Sequence, residues 1–200
     1  MGGIKNQFTT KSLVLIPIAV GINLIGGTLC SLLKLPLFLD MVGTILIACL
    51  SGPWVAAACG LVTNVFLALV ANPVYLPYSV VSILCGLVTG FMVKSGFFKN
   101  KWKAAFTWLV CTLTNTISAS FITFFVYGGA TGINGSSVLT AALIATTKEI
   151  LFSVLSTSML ENLIDKGIVF IIAYSLIHKI PKRFLNQYSV APIKHSFEKD

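Results

Sequence analysis

The chain has 200 residues, of which 56% are hydrophobic and 10% charged, and its formal net charge is +8. Soluble domains carry about 25% charged residues, so a water-soluble globule is excluded: its polar side chains could not cover its apolar surface. The apolar residues fall in runs of about 20, the length that crosses a bilayer as helix, and the excess positive charge then reports on orientation rather than on nucleic acid.

The first run, residues 12–33, follows Lys5 and Lys11 and is too long for a signal-peptide core, so a retained span is expected. Ala19, Gly21, Gly26 and Gly27 give it small surfaces, fitting close packing inside its own bundle or against a partner subunit. Residues 34–40 form a short connection containing Pro36 and ending in Asp40, and residues 41–50 make a short second span. A Ser51-Gly52-Pro53-Trp54 corner starts the third span, 53–71, with Pro53 in the first turn, where a missing N–H costs nothing. Asn64 lies deep in that span.

Asn72-Pro73 opens a turn followed by Tyr75 and Tyr78, which read either as interface anchors or as a wall against which a ligand stacks. The fourth span, 77–93, has Gly86 and Gly90 one turn apart and leads into a basic loop over 94–103. The fifth, 102–127, carries Thr112, Thr114, Asn115, Thr116, Ser118 and Ser120, so one of its faces should point inward. Residues 128–137 (GGATGINGSS) are a flexible loop by composition. Residues 138–159, with Lys148-Glu149, fit either a further span or a surface or re-entrant helix, and the last span, 161–180, starts at Glu161, Asn162, Asp165 and Lys166.

Charge asymmetry decides between these counts. With six spans and both termini in the cytoplasm, eleven Lys and Arg lie inside and only Lys34, Lys148 and Lys166 outside, whereas a seventh full span would export the basic C-terminal segment. The expected architecture is an all-α integral membrane protein with six transmembrane helices and one extra outer helix or re-entrant segment. A single domain over 1–185 is followed by a polar cytoplasmic tail over 186–200. Asp40, Glu149, Glu161 and Asp165 then gather near the outer face. Glu161 and Asp165, four apart, share a helix face and read either as a solvated helix start or as the polar floor of an outward-facing pocket. Asn64 and Asn115 lie too deep for outside solvent and favour the pocket.

No phosphate-binding G-x-x-x-x-G-K-[ST] loop, G-x-S-x-G elbow or H-E-x-x-H pair occurs. Cys30, Cys49, Cys59, Cys85 and Cys111 sit singly in apolar runs as small hydrophobes, and His178 and His195 lie at or beyond the end of the last span. Neither a metal nor a cofactor is expected, and any transport would draw its energy from a partner or a gradient.

The runs FLDMVGTILIACLSGPWVAAACGLVTN, NPVYLPYSVVSILCGLVTGF and ENLIDKGIVFIIAYSLIHKIPKRF resemble the substrate-binding S components of energy-coupling factor (ECF) vitamin transporters, in the same order, over about residues 12–185. The resemblance implies a bacterial cytoplasmic-membrane subunit that binds a vitamin or precursor near the outer surface. It would then topple while docked on a transmembrane coupling (T) subunit carried by two cytoplasmic ATPases. It implies a pocket drawing on Tyr75, Tyr78, Ser82, Asn115, Glu161, Asn162, Asp165 and Lys166, a lid over 34–41 including Lys34 and Asp40, and docking through Ala19 and Gly21. The family's alanines spaced by three are replaced here by Pro17, Ala19, Gly21 and Asn23. Carboxylates and an amide suit a pyridoxine-like or hydroxymethylpyrimidine-like ring. Two other readings stand beside this one: a sensor or assembly subunit that transports nothing, and a carboxylate-dependent intramembrane enzyme.

Overall fold

The computed structural model describes residues 6–133, 135–185 and 187–188. Among them the regular structure is entirely helical: α1 (Thr10–Leu32), α2 (Val42–Ser51), α3 (Pro53–Val70), a 3₁₀ turn (Pro73–Tyr75), α4 (Ser79–Lys94), α5 (Lys101–Tyr127), α6 (Ser136–Thr147), α7 (Ile150–Lys179) and a final turn, α8 (Lys182–Leu185). Three of these, α1, α3 and α5, are long and apolar enough to cross a membrane, while α2 and α4 are shorter apolar helices. Most of the tail expected over 186–200 falls outside the described residues, as do Lys5, Lys194 and Lys199 from the charge count.

Local sequence explains most boundaries. Thr9 and Asn100 cap α1 and α5 by accepting from the amides of Ser12 and Lys103. Pro53 occupies the first turn of α3, next to Gly52 at φ 93°. One boundary differs from the sequence reading: residues 138–159 are not one piece. The chain breaks at Lys148 (φ 59°), where the Thr147 hydroxyl accepts from the Glu149 amide and the Ser153 hydroxyl donates to the Glu149 carbonyl. Helix α7 starts at Ile150 and runs through Glu161 without interruption. Glu161, Asn162, Asp165 and Lys166 therefore sit mid-helix, and the solvated-helix-start reading of the acids is incorrect.

Small residues bring the helices together. A Cβ on Gly43 of α2 would overlap the Ala19 backbone of α1, and one on Gly86 of α4 would lie 2.9 Å from the Ala56 carbonyl carbon of α3. Across the first junction Asn23, fully buried, donates to Thr44 Oγ1 at 2.9 Å and Thr63 Oγ1 at 3.0 Å and accepts from the Gly43 amide at 2.7 Å. One side chain thus ties α1, α2 and α3, and in an apolar slab its partners have no water to turn to.

At one end of the bundle, Gln7 accepts from the Trp54 amide, and Phe98 of the α4–α5 loop packs on Phe170 and Tyr174 near the end of α7. At the other end lie the 34–41 loop, the 72–78 turn and residues 128–133. Gly43→Ala should lower stability by about 1–3 kcal/mol through overpacking, whereas Gly21→Ala, whose added carbon meets nothing within 4 Å, should be neutral. Thermal unfolding of both variants in detergent checks the contrast.

Candidate functional site

Helix α2 has 10 residues and is only about 15 Å long, half of a bilayer's hydrocarbon core. The space beyond its N-terminus is taken by the 34–41 loop and by a cavity that opens to the surface. The loop is pressed tightly into place. Gly26 of α1 faces the Leu39 backbone so closely that a side chain would collide with it, and the Gly135 amide donates to the Leu35 carbonyl at 3.4 Å.

Tyr75, Tyr78, Ser82, Asn115, Glu161, Asn162 and Lys166, all expected from the sequence, line this cavity together with Asp40. Tyr75 is buried in the 3₁₀ turn, and Tyr78 stacks on Tyr127 at 6.0 Å with an interplanar angle of 2°. The Tyr78 hydroxyl is 2.6 Å from Thr123 Oγ1, and the Tyr127 hydroxyl donates to the Val74 carbonyl. Burial pushes the Tyr75 phenol up to about 12, and Asp40 and Glu161 both press in the same direction. Burial also raises the Asp40 carboxyl, with Lys166 opposing. Asn64 donates to Ser82 Oγ at 2.6 Å, and Asn162 donates to the Ser158 carbonyl at 2.8 Å while its own Oδ1, buried, meets no hydrogen-bond partner among the described residues.

Asp165 does not line the cavity. It sits directly behind the wall, fully buried, with Oδ1 accepting from the backbone amides of Phe38 (2.9 Å) and Leu39 (2.8 Å) and Oδ2 paired with Lys166 Nζ at 2.6 Å. One carboxylate therefore fastens the loop and orients the cavity's lysine. The loop is strained where it is fastened, because Leu39 holds φ 50°, a left-handed conformation costing an ordinary residue about 1–2 kcal/mol. Charge-assisted bonds from a buried acceptor offset that cost. Lys34 (φ 51°) is exposed at the loop's start and stays off the cavity wall.

The docking expectation divides. Ala19 is 4% exposed and its backbone abuts Gly43, so it is spent on the protein's own packing, while Gly21 and Pro17 look outward. Phe38 and Met41, within the lid expected over 34–41, line the cavity, and sequence reasoning missed the wall built by Ile133, Ser136 and Thr140. Thr140 lies 2.8 Å from Thr157 Oγ1, and its four-residue spacing from Ser136 was the available sign that 128–137 leads into a packed helix.

An apolar helical bundle with an open-mouthed, mixed-charge cavity at one end describes a membrane-embedded subunit that binds a small molecule. The particular family follows from its sequence profile: that of the ECF transporter substrate-specific component matches residues 11–177, and the chain belongs to that family. No curated protein and no solved structure matches the chain. It is thus a transporter's substrate-binding subunit rather than an enzyme, working in a membrane beside a T component and ATPases.

Taking away one partner of a buried ion pair costs about 3–5 kcal/mol because the other charge is stranded. Asp165→Asn should lose stability on that scale, and Asp165→Asn combined with Lys166→Met should recover more than half of it. Thermal melts of the two variants decide it, and a single-variant loss below about 1 kcal/mol would mean that the pair is solvated.

Proposed function

We propose that the cavity is the substrate site of this S component, that it opens on the outer face of the bacterial cytoplasmic membrane, and that the 34–41 loop is its lid. The observation carrying this is the convergence of Asp40, Tyr75, Tyr78, Glu161, Asn162 and Lys166 on one cavity within the family-matching segment. The orientation is supported by charge: the basic 94–103 loop and the start of the described chain lie at the end opposite the cavity, and cytoplasmic ends carry the Lys and Arg excess. On this reading α1, α2, α3, α4, α5 and α7 make six passes with both termini inside, α6 lies at the outer side, and residues 1–185 act as one domain.

The substrate is a vitamin or vitamin precursor with a small polar heteroaromatic ring, pyridoxine-like or hydroxymethylpyrimidine-like. Aromatic walls with a few convergent polar groups suit such a ring. No arginine lines the cavity, so a carboxylate or phosphate handle would lack a bidentate partner. Delivery proceeds by toppling of the whole subunit against the T component, powered by the two ATPases. Large apolar side chains exposed along α1 and α5, among them Val14, Ile25, Leu32, Phe121 and Phe125, suit a body that turns within lipid. Docking falls to the outward face of α1 around Pro17 and Gly21.

Mass spectrometry of small molecules co-purifying with the detergent-solubilised protein should reveal one stoichiometric ring compound. Glu161→Gln should then weaken its binding, measured by calorimetry, by about 1–3 kcal/mol. Unchanged affinity would take Glu161 out of the site, and an empty protein that also ignores a vitamin panel would contradict the proposal.

A further inference from the structure

Away from the cavity, helices α5 and α7 pack along each other and leave a second opening on the outside of the bundle. This cleft runs from Lys101 past Ala105 to Trp108 on α5, and Gly167, Phe170 and Tyr174 close it on the α7 side. Small residues make its floor and aromatic rings its walls, a chemistry that fits hydrocarbon. A void beside these rings would forfeit their dispersion contacts, and at membrane depth there is no water to fill it.

The residues at its mouth fix its depth. Trp102, 86% exposed, stands between Lys101 and Lys103 at the start of α5, and tryptophan beside lysine marks the headgroup level. Trp108 lies two helical turns further along, about 10 Å deeper, among acyl chains. Lys101 is the one charged residue lining the cleft, Lys94, Lys99 and Lys103 belong to the same basic segment, and no acid among the described residues lines it. The cleft also faces away from the first helix, because α1 packs on α2 and α3 whereas α5 packs on α4 and α7. A subunit seated on α1 would leave it open to lipid.

We infer that the cleft is a site for one anionic phospholipid, with an acyl chain lying between α5 and α7 against Trp108 and the phosphate on Lys101. Lysines at headgroup level attract acidic lipids. A zwitterionic lipid fills the cleft equally well but brings its own cation up to the lysine. The inference needs only that α5 crosses the bilayer, and it is independent of the cavity and its ligand.

Quenching of Trp108 fluorescence by brominated lipids tests it. Trp54→Phe and Trp102→Phe leave Trp108 as the only tryptophan of the three. The full chain is placed in phosphatidylcholine vesicles containing phosphatidylglycerol, with bromine on the acyl chains of one lipid or the other. Brominated phosphatidylglycerol should quench Trp108 as though enriched about fivefold over its share of the bilayer, the factor expected of one lysine at the headgroups. Lys101→Gln, at an exposed position, should remove that enrichment and leave quenching by phosphatidylcholine intact. Gly167→Leu, whose added Cβ meets Trp108 at an ordinary 3.6 Å, should lower quenching by both lipids because its side chain fills the cleft. Enrichment that is absent or unmoved by Lys101→Gln overturns the inference, as does quenching unmoved by Gly167→Leu. A Trp108 that neither lipid quenches, as when a second copy of the chain covers the cleft, overturns it too. Native mass spectrometry of the unaltered chain decides the matter without replacing a tryptophan: phosphatidylglycerol retained over phosphatidylcholine supports the site, and equal or no retention overturns it.

Discussion

Asp165 lies fully buried in the middle of α7, where a carboxylate has to find every partner inside the protein. It takes two backbone amides from the 34–41 loop and the ammonium of the next residue in its own helix. None of these is dispensable. Without the carboxylate the loop amides of Phe38 and Leu39 would have no acceptor to hold Leu39 in its left-handed conformation, and without the lysine a bare negative charge would remain in an apolar interior. The seat of the 34–41 loop and the placement of the Lys166 ammonium both follow from this one side chain.

The rest of the architecture makes room for it. A second helix of 10 residues is too short to fill its layer, and the space left over becomes loop and cavity. Gly26 lets the loop approach α1, and Asn23 fixes where α2 begins by holding the Gly43 amide. Cavity wall and loop position are thus joined in one polar cluster, while the exposed surfaces of α1 and α5 remain free of charge over most of their length. A body with a charged interior at one end and an apolar exterior fits a membrane-embedded substrate-binding subunit.

Much of this was legible in the residues. Apolar run lengths gave the long helices, Pro53 gave the start of α3, and the polar residues of α5 and α7 pointed to an inward face that the structure brings onto one cavity. What could not be read was anything depending on backbone partners. Asp165 looked like one more pocket acid because amides at Phe38 and Leu39 leave no trace in sequence. Ala19 looked free to dock because its smallness is equally suited to an internal neighbour, and only the fold shows Gly43 against it. The break at Lys148 escaped notice for a related reason: it is held by Thr147 and Ser153 side chains and has no Gly or Pro to announce it.

The most direct measurement is amide hydrogen exchange at Phe38 and Leu39 in the detergent-solubilised protein. If both amides are bound to a buried carboxylate, they should exchange at least about a thousandfold more slowly than an unstructured chain, as amides released only by substantial opening do, although they lie in a connecting loop. Exchange at the free-loop rate would show that the loop is not seated on Asp165, and would contradict the account of the lid and the cavity together.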